Sequence, residues 1–412
     1  MIQKLKNIFI VGGGFGGVTA ALGLAKSLKG KAQITLVDKR DYQLFTPNLY
    51  EVATAEEEFT SINQLKKSIS TSLKEILSKA GVGFLKGELV EVDQVRSEIK
   101  VGIRKYSYDK LILSLGSETD YMNVVGAKEF GLPLKTLTDA FRIRNQVEFL
   151  FQSESRHNLK RPLRLLIVGG GYTAVEFTAE LSNLVEILCW KYNYPREKID
   201  ILILEAASRL LGVLPEKVGV DVKQRLRDLN VRVQVNSIVA EVESGFVKLK
   251  NGERLEYDFL VWATGVKATG VNFTNPVELD VKGRIPTNGL LQMQNHENIF
   301  IIGDECCIVD EHGVSAPPTA QDAIHQAKFL TQVLPKLLQN QKPNYYTCMH
   351  HGFIIMLGGK WGVLTWGKWY FKGFVVYFLR QAADFNYFKS VLGIKKAIKY
   401  LWFGQRVFTR ND

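Results

Sequence analysis

Short, unbroken runs of apolar residues recur along the chain, and several end at a glycine or a carboxylate. The run at 8–11 enters the glycine-rich segment 12–17, and apolar residues of 18–28 then recur at helical spacing. The run at 165–168 enters a second glycine-rich segment at 169–174. Continuous apolar runs of this length are typical of strands buried on both faces. The pattern therefore predicts two strand–turn–helix units of an α/β fold.

The two glycine-rich segments have the composition of a dinucleotide cradle. Such a segment directs backbone N–H groups and a helix N-terminus at a pyrophosphate. The first reads GGGFGG and the second GGGYTA, in which Ala174 replaces the last glycine, a substitution that the fingerprint tolerates. Because the segments begin about 157 residues apart, the sequence predicts two dinucleotides on one chain. This is typical of a flavoprotein that takes electrons from a nicotinamide.

Each predicted unit has a second apolar run that ends in an acid. The run at 34–37 is followed by Asp38, and the run at 201–204 by Glu205. A carboxylate at this point binds a ribose 2′-hydroxyl and would repel a 2′-phosphate. The sequence therefore favours NADH over NADPH, although Arg209, shortly after Glu205, keeps an NADPH-using alternative open.

Length, composition and cysteine positions limit the classes of protein that fit the sequence. A length of 412 residues predicts two or three domains, and 46% hydrophobic with 23% charged residues is typical of a globular protein. The first strand begins within about eight residues of Met1, which we expect to leave no room for a signal peptide. The four cysteines form no CxxC pair and no metal-ligand spacing occurs, so we expect no metal and a reducing, cytosolic compartment.

The C-terminal segment 360–412 carries much of the net charge of +11. It holds ten Lys and Arg against two acids, and four of the six tryptophans. Within it, 394–403 predicts a helix with an apolar face, and Lys395, Lys396 and Lys399 lie away from that face. A basic amphipathic helix with aromatics is typical of a segment lying in a membrane interface, and the apolar run 374–379 is too short to span a bilayer. The sequence predicts two helices after a short strand pair, attached to a membrane surface.

Two other roles for this tail stay open. Its apolar face would also suit docking on the rest of the chain or a homodimer contact. Basic residues between aromatics also occur in proteins that bind single-stranded nucleic acid, but nothing upstream supports that use, and we expect no nucleic acid partner.

Further segments between and after the cradles are suited to a flavin pocket, although ordinary βα turns have the same pattern. The first is a turn marked by Pro47, and the second and third are strands that end in small residues, which let backbone approach a ligand. The last delivers an acid that can accept hydrogen bonds from ribityl hydroxyls. The segments are 42–47, 111–117, 259–265 and 299–304.

The order of these motifs resembles that of the two-dinucleotide-binding-domain flavoproteins, and within them the type II NADH dehydrogenases. These are single-chain NADH:quinone oxidoreductases. The resemblance runs from about residue 5 to about 335 and is weaker beyond. It rests on the motifs at 11–17, 45–54, 168–177 and 317–326, of which the last, PPTAQDAIHQ, is the most diagnostic.

The resemblance implies a discontinuous FAD-binding domain at 1–118 and 275–340, an NAD(P)H-binding domain at 119–274 and a membrane-associating region at 341–412. It implies non-covalent FAD, oxidation of NADH by hydride transfer, and two-electron reduction of a menaquinone- or ubiquinone-type quinone. It also implies a peripheral, monotopic protein on the cytoplasmic face of the cell membrane that pumps no protons.

The resemblance also assigns catalytic roles to three residues. Glu176 matches a family carboxylate near the flavin and is expected to tune or relay a proton, unless it only stabilises the helix N-terminus. Gln321 and His325 are expected to line the quinone site, where His325 replaces a family glutamine. The residues expected at the two dinucleotides are Gly12, Gly14, Phe15, Gly16, Gly17, Asp38, Lys39, Thr46, Pro47, Gly116, Gly303, Asp304, Ala320, Gln321, Gly169, Gly171, Tyr172, Thr173, Glu176, Glu205, Ala263, Thr264 and Gly265.

Other classes of flavoprotein fit the sequence less well. Disulfide reductases need a redox pair near the flavin, and the adjacent Cys306 and Cys307 would form a strained disulfide. Sulfide:quinone oxidoreductases need separated catalytic cysteines, which the positions here do not suggest. A non-catalytic, NADH-sensing flavoprotein remains an alternative, although the motif at 320–326 argues against it.

Overall fold

The structure is a computed structural model that describes residues 5–56, 61–157, 161–349 and 352–408. The chain folds into two compact units, each formed from several stretches. The first unit comprises Met1–Leu44, Ser70–Glu118 and Val266–His351. The second unit comprises Phe45–Ile69, Thr119–Gly265 and Gly352–Asp412.

Strands and helices alternate along much of the chain. In chain order the strands are β1 (Lys6–Val11), β2 (Ala32–Asp38), β3 (Tyr42–Leu44), β4 (Ser70–Ser72), β5 (Gly83–Lys86), β6 (Leu89–Asp93), β7 (Glu98–Val101), β8 (Arg104–Ser107), β9 (Lys110–Leu113), β10 (Ser117–Thr119), β11 (Leu132–Pro133), β12 (Leu163–Val168), β13 (Ile199–Leu204), β14 (Val231–Gln234), β15 (Val239–Glu243), β16 (Phe246–Leu249), β17 (Arg254–Glu256), β18 (Phe259–Trp262), β19 (Val266–Ala268), β20 (Ile285–Pro286), β21 (Ile299–Ile301), β22 (Cys306–Cys307), β23 (Phe353–Met356), β24 (Gly362–Trp366) and β25 (Trp369–Gly373).

The helices are α1 (Phe15–Ser27), α2 (Leu49–Ala53), α3 (Ile62–Ile69), α4 (Leu73–Ser78), α5 (Ala127–Phe130), α6 (Leu137–Ser155), α7 (Tyr172–Lys191), α8 (Glu216–Asp228), α9 (Ala320–Leu337), α10 (Phe374–Leu392) and α11 (Ile394–Phe408). Short 3-10 turns lie at Thr46–Asn48, Arg196–Lys198 and Gly303–Glu305.

The first unit is built on a five-stranded parallel sheet in the order β21-β9-β1-β2-β5. The apolar run predicted at 8–11 forms the centre of this sheet, with Ile8 opposite Ile34 of β2 and Lys110 of β9. Ile8 and Ile10 are completely buried, as expected of a strand covered on both faces. Helices α1 and α9 pack against each other, and β6, β7 and β8 form a separate antiparallel sheet.

The second unit repeats this construction. Its parallel sheet has the order β11-β18-β12-β13-β14, and β15, β16 and β17 form an antiparallel sheet. Its core includes Leu166, Leu202, Leu260 and Trp262 from the parallel sheet together with Val242 from β15. The prediction of two Rossmann-like units, each with a buried strand leading into a glycine turn, is therefore confirmed.

The compact units have bounds other than the predicted domains. Residues 45–69, which the prediction joined to the FAD-binding domain, belong to the second unit because α2 packs on α6 and α7. The tail from Gly352 is also part of the second compact unit.

The tail begins with a three-stranded antiparallel sheet of β23, β24 and β25, where the sequence suggested a strand pair. The two predicted helices follow as α10 and α11, and α10 packs on this sheet while α11 packs on α3. Among the residues that the structure describes, no helix has the length and apolar character needed to cross a membrane.

Candidate functional site

The first glycine cradle joins β1 to α1 in the first unit. Gly12 has φ +111°, and a Cβ there would lie 2.0 Å from the carbonyl oxygen of Ser114, so only glycine fits. Gly14 is the N-cap of α1, and a Cβ there would meet no atom within 4 Å. The helix N-terminus therefore has open space in front of it, where backbone N–H groups can bind a phosphate.

Asp38 lies beside this cradle. It is 9% exposed, its Oδ2 accepts a hydrogen bond of 2.6 Å from the Gly13 backbone N–H, and its Oδ1 accepts one of 2.7 Å from the Arg40 backbone N–H. A carboxylate fixed in this way is suited to a ribose hydroxyl. Lys39, also predicted at a cofactor, forms an exposed ion pair of 3.1 Å with Glu88.

The strand ends of the first unit supply further predicted residues. Gly116 follows β9 with φ +80°, and Gly303 follows β21 with φ +76°. Asp304 accepts a hydrogen bond from the Ser117 hydroxyl. Backbone turns and a fixed carboxylate therefore lie at the carboxyl ends of two adjacent strands, where ligands of open α/β sheets bind.

Two residues predicted at the flavin, Thr46 and Pro47, lie in the 3-10 turn of the second unit. The carbonyl oxygen of Pro47 accepts a hydrogen bond of 3.4 Å from Arg380 of α10. The structure thus places this turn against the tail helix within the second unit.

The second cradle, between β12 and α7, has the same construction. Gly169 has φ +114°, and a Cβ there would lie 2.3 Å from the carbonyl oxygen of Ala263. A Cβ at Gly171, the N-cap of α7, would meet no atom within 4 Å. Glu205 accepts hydrogen bonds from the backbone N–H groups of Gly170 at 2.5 Å and of Ala207 at 2.6 Å.

The remaining residues predicted at the second dinucleotide surround this cradle. Tyr172 opens α7 and stacks on Phe353 of β23, with ring centroids 5.3 Å apart. Thr173 is exposed in the first turn of α7. Beyond β18, the Thr264 hydroxyl donates to the carbonyl oxygen of Asp120 at 2.8 Å, and Gly265 has φ +139°.

Arg209 has its guanidinium engaged by backbone. It donates to the carbonyl oxygens of Leu214 at 2.8 Å and of Gly212 at 2.7 Å. Glu205, not Arg209, therefore makes the hydrogen bond to the cradle backbone.

Glu176 lies on α7, one turn after the cradle, and is 9% exposed. Its Oε1 accepts a hydrogen bond of 3.2 Å from the Met356 backbone N–H and lies 3.9 Å from Nη1 of Arg380. Burial raises the pKa of Glu176 to about 7, while Arg380 and the Met356 N–H lower it and Asp384 raises it. A carboxyl with this pKa exchanges a proton near neutral pH.

Arg380 and Asp384 are functional candidates that the sequence analysis missed. They form an ion pair of 3.0 Å on α10, with side chains about 11% exposed. Burial raises the pKa of Asp384, and Arg380 opposes this. Both line a cavity of about 50 Å³ together with Tyr50, Tyr377 and Phe388. The sequence feature that could have indicated them is an arginine and an acid four residues apart in a segment rich in aromatic residues.

Gln321 and His325 lie on α9 in the first unit, whereas Glu176 lies in the second. Helix α9 begins at Ala320 after Thr319, whose hydroxyl accepts a hydrogen bond of 3.1 Å from the Asp322 backbone N–H. Gln321 is exposed, and Nδ1 of the half-buried His325 lies 3.1 Å from the hydroxyl of Tyr346.

Relatives of known function align along almost the whole chain. The type II NADH:quinone oxidoreductases of Staphylococcus saprophyticus and Staphylococcus aureus are each 26% identical to it over 408 residues, which covers 97% of this chain and 99% of theirs. The resemblance predicted from the motifs is confirmed by these alignments.

Solved structures share the fold. NDH2 from Plasmodium falciparum, solved in complex with NADH, has a TM-score of 0.82 at 21% identity and covers 97% of this chain and 99% of its own. The sulfide:quinone oxidoreductase of Aquifex aeolicus has a TM-score of 0.76 at 19% identity and covers 96% and 94%.

The family model described as pyridine nucleotide-disulphide oxidoreductase matches residues 6–327, a stretch that contains both glycine cradles and their carboxylates. The chain therefore belongs to the pyridine nucleotide-disulphide oxidoreductase family.

Proposed function

We propose that this protein oxidises NADH and reduces a quinone, with FAD as a non-covalent prosthetic group. The observation that carries the proposal is the pair of open glycine cradles, each with a carboxylate hydrogen-bonded to its second glycine. Two such cradles in one chain suit two dinucleotides. The reaction is the one named for the staphylococcal relatives.

FAD is assigned to the first unit. The N-terminus of α1 would bind its pyrophosphate, Asp38 a ribose hydroxyl, and Asp304 the ribityl chain. The open space at Gly14 fits a phosphate, since a side chain there would occupy it. When bound, the flavin supplies hydride acceptance and two-electron donation, and the protein supplies orientation and exclusion of water.

NADH is assigned to the second unit, with its pyrophosphate at the N-terminus of α7. Glu205 would bind a ribose 2′-hydroxyl and repel a 2′-phosphate. Arg209 supports the same preference, because its guanidinium donates to two backbone carbonyls of its own loop. NADH is therefore favoured over NADPH.

Glu176 is assigned to holding a proton for quinone reduction, which consumes two. Its pKa of about 7 suits proton exchange at neutral pH. Gln321 and His325 are assigned to the quinone site as hydrogen-bond partners. The quinone is of the menaquinone or ubiquinone type.

The tail is assigned to a peripheral contact with the cytoplasmic face of the cell membrane. Large apolar side chains of the β24–β25 hairpin and both tail helices are 54–65% exposed, which is costly in water unless a surface covers them. Those side chains are Trp366, Trp369, Phe374, Val375, Phe378, Ile394, Ile398 and Trp402. Lys395, Lys396 and Lys399 add positive charge suited to anionic lipid.

The cysteines do not support the thiol-based alternatives. All four are free, and burial raises the pKa of Cys306 to about 12 and that of Cys348 to about 11. Since the thiolate is the reactive form, these thiols are poorly suited to attack a sulfide or a disulfide.

Anaerobic stopped-flow of the purified flavoprotein tests the proposal. Mixing with NADH should bleach the flavin, and a quinone analogue should then restore its colour. The variant Glu176→Gln should slow the second phase more than the first, whereas equal slowing of both would remove Glu176 from that role. Bleaching followed by slow recovery with every quinone would point instead to an NADH-sensing flavoprotein.

A further inference from the structure

Two glutamates on one face of α7 bind backbone N–H groups of β23 and of the turn that follows it. Glu176 and Glu180 are four residues apart, so their side chains are neighbours on the helix surface. Oε1 of Glu176 accepts a hydrogen bond of 3.2 Å from the Met356 N–H, and Oε1 of Glu180 accepts one of 2.9 Å from the Gly359 N–H. The tail is thus attached to α7 at two points, three residues apart in the chain.

The same turn is also held by α8. Nε of Arg225 donates to the carbonyl oxygen of Leu357 at 3.0 Å, and Nη2 donates to that of Gly358 at 3.3 Å. The guanidinium carbon of Arg225 also lies 5.3 Å from the centroid of the Trp361 ring. An acid on one helix therefore binds an N–H group of the turn, and a base on the other helix binds two of its carbonyl groups.

Gly358 lets the turn lie close to both helices. It has φ +80°, and a Cβ there would lie 3.1 Å from Cδ1 of Leu229 and 3.4 Å from the carbonyl oxygen of Ala179. A side chain at this position would be both strained and crowded. The turn is therefore closely packed against α7 and α8 as well as hydrogen-bonded to them.

These polar contacts fix the position of β23 along α7. Glu180 is 2% exposed, and a buried carboxyl group contributes less to stability than an apolar side chain of the same size unless its hydrogen bonds are made. Successive residues of a strand direct their N–H groups to opposite sides. A slip of β23 by one residue would therefore turn the Met356 N–H away from Glu176.

We propose that Glu180 and Arg225 are positioning residues for Glu176. They hold the turn 357–359, and thereby give β23 the one register that directs the Met356 N–H at the Glu176 carboxyl. The inference rests on the proposed function, in which Glu176 holds a proton for quinone reduction. Glu180 and Arg225 act on that carboxyl through the backbone of the tail.

Other charged or titratable groups around Glu176 come from two further helices. Arg380 of α10 lowers the pKa of Glu176, and Asp384 of the same helix raises it. On α2, burial raises the pKa of Tyr50 well above its usual range, and the neighbouring Glu51 adds to this. None of these four groups is changed in the variants below, so a changed titration of Glu176 would report on the turn.

Nitrogen-15 NMR of methionine-labelled, FAD-loaded protein tests the positioning without turnover. The chain has five methionines, and the chemical shift of the Met356 amide should change with pH as Glu176 titrates. The variant Glu176→Gln identifies this signal, because its pH dependence should disappear. In Glu180→Leu and in Arg225→Lys, the Met356 amide should no longer follow the carboxyl.

Conservative variants separate position from charge. Glu180→Gln loses the charge but keeps an oxygen for the Gly359 N–H, so the Met356 amide should titrate as in the wild type. Arg225→Lys keeps the charge but lacks the planar fork that reaches two carbonyl groups. Arg227→Lys, exposed on the same helix, is its control and should have no effect.

Infrared titration of the Glu176 carboxyl band gives the expected sign. A donor to a carboxylate lowers its pKa, so loss of the Met356 N–H should raise the proton affinity of Glu176 about tenfold, the value of about one hydrogen bond to a charged group. Loss of the Glu180 charge by itself would not raise it. A Met356 amide that still titrates with Glu176 in Glu180→Leu and Arg225→Lys, or in whichever of them folds, would overturn the proposal.

Stopped-flow kinetics separate this inference from the proposed function. If both hold, reoxidation of the flavin by quinone should slow at a higher pH in Glu180→Leu and Arg225→Lys than in the wild type, and reduction by NADH should be unchanged. The expected NMR response combined with normal reoxidation in Glu176→Gln supports the positioning and contradicts the proposed role of Glu176. An unaffected Met356 amide in a protein that reduces quinone contradicts the inference alone.

Discussion

Nη1 of Arg380 lies 3.9 Å from Oε1 of Glu176, although the two residues are 204 positions apart in the chain. Both side chains are about one-tenth exposed, and Arg380 also forms an ion pair with Asp384. Arg380 lowers the pKa of Glu176, whereas Asp384 raises it. The proton affinity of Glu176 therefore depends on two residues of the tail helix α10.

Substitutions at these two positions should move the pKa of Glu176 in opposite directions. Arg380→Gln removes the cation that lowers it, so the pKa should rise above about 7, whereas Asp384→Asn removes an anion and should lower it. Infrared titration of the carboxyl band that disappears in Glu176→Gln measures both. Lys389→Gln, on the exposed face of the same helix, should leave the band unchanged. Shifts of the same sign in the first two variants would contradict the electrostatic account.

Alanine at the two N-cap glycines should separate the two dinucleotide sites. Gly14→Ala and Gly171→Ala each add a methyl group where the structure has no atom within 4 Å, so both variants should fold. The methyl group occupies the space assigned to a phosphate. Gly14→Ala should therefore lower FAD content, whereas Gly171→Ala should keep FAD and raise the Kd for NADH about tenfold or more, the value of about one lost phosphate hydrogen bond. Loss of FAD in Gly171→Ala would contradict the assignment of the sites.

Glu305 should make the stability of the protein depend on pH. It is 1% exposed, its Oε2 accepts a hydrogen bond of 2.8 Å from the Leu115 N–H, and burial raises its pKa to about 8. The folded state thus holds this proton more tightly than the unfolded chain does. The contribution of this proton to the free energy of unfolding is complete below about pH 4.5, the ordinary pKa of a glutamate. It is lost as the pH rises through about 8, the pKa of Glu305 in the folded state.

Thermal unfolding of Glu305→Gln against the wild type measures this effect. The amide stays neutral and can still accept from Leu115, so the Tm advantage of the variant should grow from pH 5 to pH 9 and correspond to several kcal/mol. Glu243→Gln, at an exposed position, should show no such trend. A Tm difference that stays constant with pH would show that Glu305 is charged in the folded state.

Charge reversal on α11 should weaken attachment to lipid. Lys395→Glu, Lys396→Glu and Lys399→Glu together should reduce co-sedimentation with anionic vesicles by tenfold or more, since each basic residue near such a surface contributes about 1 kcal/mol. The same reversal at Lys26, Lys29 and Lys31, which are exposed in the first unit, is the control for total charge. Equal losses in both sets would indicate a general charge effect rather than a tail surface.

Local pattern predicted the parts of the site that depend on local chain geometry. Gly12 and Gly169 were predictable because a tight strand-to-helix turn leaves no room for a Cβ, and Asp38 and Glu205 because they end the next parallel strand. Such features repeat wherever the same strand–turn–helix forms.

Pairings between distant segments could not be predicted in the same way. Nothing near Glu176 indicates Arg380, nor does α9 alone indicate that Tyr346 would meet His325. The third strand of the tail sheet was missed because β25 has three consecutive aromatic residues and a lysine, which gives no alternating strand pattern and resembles the neighbouring helices in composition. These contacts are set by tertiary packing, which the periodicity within one element cannot predict.

Two of the groups around Glu176, the Met356 N–H and the Arg380 guanidinium, come from the same tail that carries the exposed aromatic and basic side chains. The stretch that would meet lipid is thus also the stretch that sets the charge of a buried carboxyl. A truncated protein without the tail would consequently differ from the full-length protein in the acidity of Glu176. Preparations made by proteolysis or truncation would therefore lack two groups that lower the pKa of Glu176.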